Sequence, residues 1–122
     1  MTQLVQFSNS PVKASSILGT HVVDLHAETL GSIKEIVLDP STGRVVYVVM
    51  SFGGFLGIGE KLFAIPFSSF EFNLTNNHYV LQVPKDKLQL APGFDADHWP
   101  LISDETWNRD LHTYYGLPPY WE

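Results

Sequence analysis

Two short groups of acidic residues and histidines are the parts of this sequence that could hold a metal ion. The groups are Asp24, His26 and Glu28, and Asp95, Asp97 and His98. Carboxylate oxygens and imidazole nitrogens are common metal ligands, and alternate residues of a strand share one face. However, the segment "HAETLG" is typical of a turn, and the second group lies in a polar link. We therefore expect both groups to be solvated, with no bound metal and no cofactor.

The glycine-rich stretch 51–66, "SFGGFLGIGEKLFAIP", raises the question of a phosphate-binding loop. Gly54 and Gly59 have the separation that such a loop requires, but Glu60 precedes the lysine and Leu62 replaces the hydroxyl residue. An acidic side chain at this point would repel a phosphate. The stretch is therefore not expected to bind nucleotides.

Residues for nucleophilic catalysis are also missing from the sequence. There is no cysteine, and no serine lies in a Gly-x-Ser-x-Gly elbow. His21, His78 and His112 fall on separate predicted elements, with no evident carboxylate partner. We therefore expect the protein not to be an enzyme.

The apolar residues of the glycine-rich stretch favour a contact surface or a structural role. The side chains concerned are Phe52, Phe55, Leu56 and Ile58. Either Phe55 and Leu56 close one end of a barrel or, where exposed, these side chains contact a second subunit or another protein, as apolar clusters often do. The neighbouring pair Glu60 and Lys61 is expected to lie at the edge of the same surface, solvated or paired.

Composition excludes several classes of function. A net charge of −6 argues against a nucleic-acid surface, and no apolar run is long enough to span a bilayer. The N-terminal residues lack the basic start and apolar run of a signal peptide, and cysteine is absent. These features predict a cytoplasmic protein that does not insert into membranes.

Short strands with turn signals between them predict an all-β domain. "RVVYVVMSF" at 44–52 is apolar on both parities, which indicates a strand buried on both faces. "DPSTG" at 39–43 predicts a tight hairpin turn before it. The remaining elements are a helical turn at 14–19, capped by Ser15 or Ser16, and strands at 21–25, 32–39, 61–66, 70–74 and 78–83. This pattern is typical of a small antiparallel β-barrel or sandwich.

The C-terminal residues 92–122 differ from the rest of the chain. They hold six acidic residues, one basic residue and all three tryptophans. The sequence predicts a short amphipathic helix at 103–116, with Ser103 as N-cap and Gly116 as its end. Its aromatic side chains either pack on the barrel and cover an open edge, or reach a partner. The candidate contact residues here are Trp107, Tyr114, Tyr115, Tyr120 and Trp121.

Three motifs together resemble one known family. Leu18-Gly19 precedes Val22, the span from Leu30-Gly31 to Leu38-Asp39 precedes Gly43, and Gly59-Glu60-Lys61 precedes Ala64-Ile65-Pro66. This combination is similar to the PRC-barrel, named after the cytoplasmic barrel of the photosynthetic reaction-centre H subunit. The resemblance implies a PRC-type barrel at 12–90, an acidic aromatic extension at 91–122 like that of free-standing bacterial members, and a tendency to dock onto other proteins.

The function expected from the sequence is a non-catalytic protein–protein interaction or scaffold module. Its partner is another protein or a second copy of the chain, giving a homodimer or higher oligomer. The resemblance leaves open a role in regulating a photosynthetic or electron-transfer complex. A metal-binding or small-ligand-binding protein is the other alternative.

Overall fold

The computed structural model describes residues 11–52, 61–73, 76–95, 98–100 and 104–117. Strands dominate the first part of the chain, and the longest helix lies near its end. The elements are α1 (Ala14–Ile17), β1 (His21–Val23), β2 (Thr29–Leu38), β3 (Val45–Phe52), β4 (Lys61–Ile65), a 3-10 turn (Phe67–Ser69), β5 (Phe70–Asn73), β6 (His78–Leu81), α2 (Lys85–Gln89) and α3 (Glu105–Tyr114).

The six strands form one curled sheet, a half-barrel, in the order β4-β3-β2-β1-β6-β5. Four neighbouring pairs are antiparallel. The fifth pair, β1 with β6, is parallel, with Val22 opposite Tyr79. The all-β class predicted from the sequence is confirmed, but the sheet is mixed and not purely antiparallel. The parallel pairing joins the beginning of the domain to its last strand, which no local turn signal could reveal.

The hairpin between β2 and β3 forms at the predicted turn. The Asp39 carboxylate accepts hydrogen bonds from the backbone N–H and the hydroxyl of Ser41, at 2.9 and 2.7 Å. Gly43 has a φ of 75° and donates its N–H to the Asp39 carbonyl at 2.7 Å. A positive φ costs glycine little, so this residue type suits the position.

Strand β3 is buried on both faces, as its sequence predicts. Val48 and Met50 belong to the main core, inside the curl of the sheet. Tyr47 and Val49 belong to a second apolar cluster, which also contains Leu62 of β4. Since α3 covers this second cluster, the outer face of β3 and β4 is internal as well.

Strands β2 and β3 approach each other closely at Gly31. A Cβ atom at this position would lie 1.7 Å from the Ser51 carbonyl oxygen. The Ser51 hydroxyl lies 3.3 Å from the backbone nitrogen of Ser32, which donates to it. Glycine is therefore required here for lack of space, although its φ is not positive.

Several local predictions differ from the structure. The N-cap of α1 is Lys13, and Ser16 instead donates its hydroxyl to the Lys13 carbonyl at 2.6 Å. Strand β2 begins at Thr29, inside the predicted turn, because pairing with β1 extends the ladder toward the turn. Helix α2 was not predicted, since its five residues carry too little periodicity.

Candidate recognition cleft

Helix α3 is held at both ends by hydrogen bonds of its own residues. The Asp104 carboxylate accepts from the Trp107 N–H at 3.2 Å, so Asp104 is the N-cap and the prediction of Ser103 was wrong. At the other end Gly116 has a φ of 72°, and Leu117 donates its N–H to the His112 carbonyl at 2.9 Å. Bonds of this kind satisfy the last carbonyls of a helix and end it at a defined residue.

The predicted apolar stripe of α3 packs against the outer face of the sheet. The Trp107 ring meets the Tyr47 ring edge to face, with 5.3 Å between centroids. Leu111 contacts both apolar clusters. Tyr115, at the end of the helix, is only 9% exposed and belongs to the main core. The helix is therefore attached to the domain by its aromatic side chains, and Trp107 itself is only partly buried.

The described residues of segment 92–100, namely 92–95 and 98–100, lie near the edge strand β4. Phe94 and Leu62 exchange two backbone hydrogen bonds, both 2.9 Å long, in an isolated bridge. Gly93 lies against the Phe63 ring, where a Cβ would be 3.0 Å from a ring carbon. The Phe94 ring in turn meets Trp99, with centroids 5.1 Å apart. The segment thus pairs with part of the free edge of β4 and fixes the orientation of Phe94.

A cleft of about 380 Å³ lies between this segment and α3; we call it the aromatic cleft. Its floor includes Ala64 of β4. Its apolar wall is formed by Phe94, Trp107, Leu111, Tyr114 and Tyr115. Aromatic side chains combine a large apolar surface with few rotatable bonds, and they are enriched in recognition surfaces for that reason.

The rim of the aromatic cleft is polar. Asp110 and His98 line it, and both are exposed. The His98 imidazole lies 3.9 Å from the Asp95 carboxylate. The Tyr114 hydroxyl donates to the Lys87 carbonyl at 2.6 Å, and the Lys87 ammonium lies 5.3 Å from the centre of the Tyr114 ring. The tyrosine is therefore fixed in position before any ligand arrives.

Burial affects the ionisation of Tyr47, which lies under α3, and of Tyr115, which ends this helix. Removal from water raises the pKa of Tyr47 to about 12. Burial, and in addition the neighbouring Tyr114, raise the pKa of Tyr115 well above its usual range. Both hydroxyls are therefore neutral at physiological pH. Within the described residues the Tyr47 hydroxyl is buried without a hydrogen-bond partner.

The predicted contact residues occupy different environments. Phe52 is half-buried and meets the Phe63 ring edge to face, with 5.8 Å between centroids, while Lys61 is exposed. Trp107 and Tyr114 are half-buried in the aromatic cleft, and Tyr115 is buried. The other predicted contact residues lie outside the described residues: Phe55, Leu56, Ile58, Glu60, Tyr120 and Trp121. Their role in contacts stays a prediction.

The first candidate metal group lies in a tight turn, not on a strand. The buried Asp24 carboxylate accepts backbone N–H bonds from His26 at 2.8 Å and from Glu28 at 2.9 Å. In the second group Asp97 lies outside the described residues. Among the residues that the structure describes, no three histidine or acidic side chains come together as a metal site would require.

The three histidines considered for catalysis are on β1, β6 and α3. His112 is 2% exposed, and its Nδ1 lies 2.8 Å from the Asn108 carbonyl oxygen, one turn earlier in α3. His21 is exposed and His78 half-buried, each on its own strand. The parallel register, with Val22 opposite Tyr79, puts His21 and His78 next to each other on neighbouring strands, whereas His112 lies on α3.

A family model, the PRC-barrel domain, matches residues 12–88. This chain belongs to the PRC-barrel family. No curated protein matched the sequence. None of the helices in the described ranges is both long and apolar enough to span a lipid bilayer. The PRC-barrel match covers the whole sheet and ends within α2, so segment 92–100 and α3, which form most of the aromatic cleft, lie beyond it.

Sequence reasoning missed two residues that line the aromatic cleft, Phe94 and Asp110, and a third, Tyr47, whose ring packs against Trp107. Phe94 was read as part of a polar link, Asp110 as one of several tail acids, and Tyr47 as a strand residue only. The combination of Pro92 and Gly93 before Phe94 does indicate a turn that could direct this ring inward. Its pairing with Leu62 depends on the path of β4 and is not visible in the sequence.

Proposed function

We propose that this PRC-barrel protein is a non-catalytic module that binds another protein through the aromatic cleft, between segment 92–100 and α3. The observation that carries the proposal is the aromatic cleft, whose rigid apolar wall lies next to a polar rim. This is the arrangement of a protein–protein contact, in which a few central aromatic residues contribute most of the binding free energy. The family membership is compatible with such a role.

The fixed side chains of the aromatic cleft support this proposal. Tyr114 is fixed by its hydrogen bond to the Lys87 carbonyl, and Phe94 by the backbone bridge to Leu62. Side chains that are already fixed lose little conformational entropy when a partner binds. Trp99, which is 39% exposed and contacts the Phe94 ring, adds apolar surface beside the cleft.

Site-specific photo-crosslinking in the native host tests the proposal. A photoreactive phenylalanine analogue replaces Trp99 beside the aromatic cleft, and Leu38 at the β2–β3 hairpin serves as control, because both side chains are large and exposed. We expect discrete protein adducts from position 99 and none from position 38. A third variant at Phe55 tests the glycine-rich stretch in the same way.

The outcomes separate the alternatives. An adduct with twice the mass of the chain shows self-association, which light scattering on the purified protein then measures as a homodimer or higher oligomer. An adduct of another mass identifies a different partner by mass spectrometry. Absence of adducts at positions 99 and 55 would contradict the proposed function.

The other expectations from the sequence stay predictions. No feature of the described residues favours a role in photosynthetic or electron-transfer complexes. A cytoplasmic location is tested by cell fractionation. Addition of zinc or calcium is expected to leave the unfolding temperature unchanged, and a rise would support the metal-binding alternative.

A further inference from the structure

The chemistry of its rim indicates what the aromatic cleft binds. We propose that it receives a short peptide segment of another protein, in which an apolar or aromatic side chain is flanked by lysine or arginine. This inference rests on the proposed function and specifies the partner for the same site. It requires two properties of the cleft, an apolar interior and a negative rim.

The interior is suited to an apolar anchor. The rings of Phe94, Trp107 and Tyr114 line a space of about 380 Å³, at the lower end of the range of about 300–1,000 Å³ typical of ligand pockets. Such a space admits a few side chains of a peptide and not a folded domain. When an apolar side chain enters, it and the apolar wall are removed from water, which favours binding.

The charges around the cleft favour basic residues beside the apolar anchor of the peptide. Asp110 lines the rim, Asp95 lies beside His98, and Asp104 is exposed at the start of α3. The one arginine of this region, Arg109, is bonded to Glu105 at 3.2 Å. Residues 92–122 contain six acidic residues and one basic residue. A basic segment is therefore attracted and an acidic one repelled, and complementary charges across an interface contribute mainly specificity and association rate.

The Lys87 ammonium cancels only part of this charge. It lies 5.3 Å from the Tyr114 ring centre and keeps its single positive charge there, against the two carboxylates of Asp95 and Asp110. His98 is the other basic group at the rim, and the Asp95 carboxylate lies 3.9 Å from it. The balance of charges at the mouth of the cleft therefore stays negative.

Selection from a phage-displayed library of random short peptides tests the inference with the full-length protein. We expect enrichment of peptides with at least two lysine or arginine residues next to an apolar or aromatic residue. Affinities of the selected peptides are then measured by fluorescence polarisation, with increasing salt expected to weaken binding.

Two charge-reversal variants form a matched pair. Asp110→Lys changes the rim, while Glu71→Lys makes the same change of charge on β5, at the opposite end of the sheet order from β4. We expect Asp110→Lys to weaken binding by about tenfold or more and Glu71→Lys by less than about threefold. Equal effects of both would overturn the inference, because only the total charge would then matter.

A second pair tests the apolar wall. Phe94→Ala removes a ring of the cleft but keeps the backbone bridge to Leu62, whereas Leu90→Ala removes a side chain that is 82% exposed and outside the cleft. Only the first is expected to weaken binding, again by about tenfold. Thermal unfolding of each variant verifies that it folds. If Phe94→Ala does not fold, the comparison of Asp110→Lys with Glu71→Lys tests the inference by itself.

The remaining outcomes are also decisive. Enrichment of acidic or uncharged peptides, or binding that salt does not weaken, refutes the basic flank while leaving the proposed interaction role intact. A cleft occupied by a second copy of the chain, detected as a dimer that Asp110→Lys dissociates, also refutes the inference. Lack of both selected peptides and photo-crosslinks would contradict the proposed function itself.

Discussion

Replacing Tyr47 with phenylalanine is expected to stabilise the protein, although it removes a polar group from the interface between α3 and the sheet. Tyr47 has no exposed surface, and its hydroxyl has no hydrogen-bond partner within the described residues. A buried, unsatisfied hydroxyl costs about 1–3 kcal/mol. The phenylalanine ring keeps the edge-to-face contact with Trp107. We therefore expect the free energy of unfolding to rise by about 1 kcal/mol at pH 7, or roughly 4 °C in the unfolding temperature.

The difference between the two proteins should grow at alkaline pH. Burial raises the pKa of Tyr47 from 10.0 to about 12 in the folded state, so the unfolded chain ionises first. Through this group the free energy of unfolding of wild type is constant below pH 10 and falls as the pH rises from 10 through 12. One pKa unit corresponds to about 1.4 kcal/mol, so wild type should lose about 1.4 kcal/mol through this group by pH 11. The variant lacks that loss.

Urea unfolding at pH 7, 10 and 11 measures both effects. Tyr114→Phe is the matched control, because the Tyr114 hydroxyl donates to the Lys87 carbonyl at 2.6 Å. That variant should lose about 1 kcal/mol at pH 7, the opposite sign. If Tyr47→Phe is destabilised at pH 7 by as much as Tyr114→Phe, the Tyr47 hydroxyl has a partner and the reasoning is refuted. If the difference from wild type does not grow between pH 10 and 11, the raised pKa is wrong.

Four further substitutions test features of the backbone. Gly31→Ala should lower the free energy of unfolding by about 3 kcal/mol or more, because the new Cβ collides with the Ser51 carbonyl. Gly43→Ala is strained only by its φ of 75° and should cost about 1–2 kcal/mol. Equal losses in urea unfolding would refute this distinction. Asp104→Ala should cost about 1 kcal/mol and speed amide exchange in the first turn of α3, so unchanged exchange there would argue against this N-cap. Asp24→Ala removes the acceptor of two backbone N–H bonds in a buried turn and should lower stability by about 2 kcal/mol, whereas a loss below about 0.5 kcal/mol would show that the turn does not depend on it.

Features of the fold that depend on neighbouring residues could be predicted from the sequence. The β2–β3 turn follows from Asp39 and Gly43, whose side-chain acceptor and positive φ both act within five residues. The double burial of β3 follows from apolar residues on both parities. The end of α3 at Gly116 has the same local origin. Even so, Asp104 and Ser103 are equally good N-caps by type, and only the path of the chain decided between them.

The sequence by itself determined the family, the all-β class, the positions of most strands and the amphipathic helix near the end of the chain. Tertiary structure decided the rest. The parallel pairing of β1 with β6, the bridge between Phe94 and Leu62, and the contact between Tyr47 and Trp107 all join residues far apart in the chain. Side-chain types do not encode such pairings, because many partners would bury the same apolar area. For that reason the sequence indicated aromatic contact residues, while the cleft that they form appeared only once α3 and segment 92–100 were placed against the sheet.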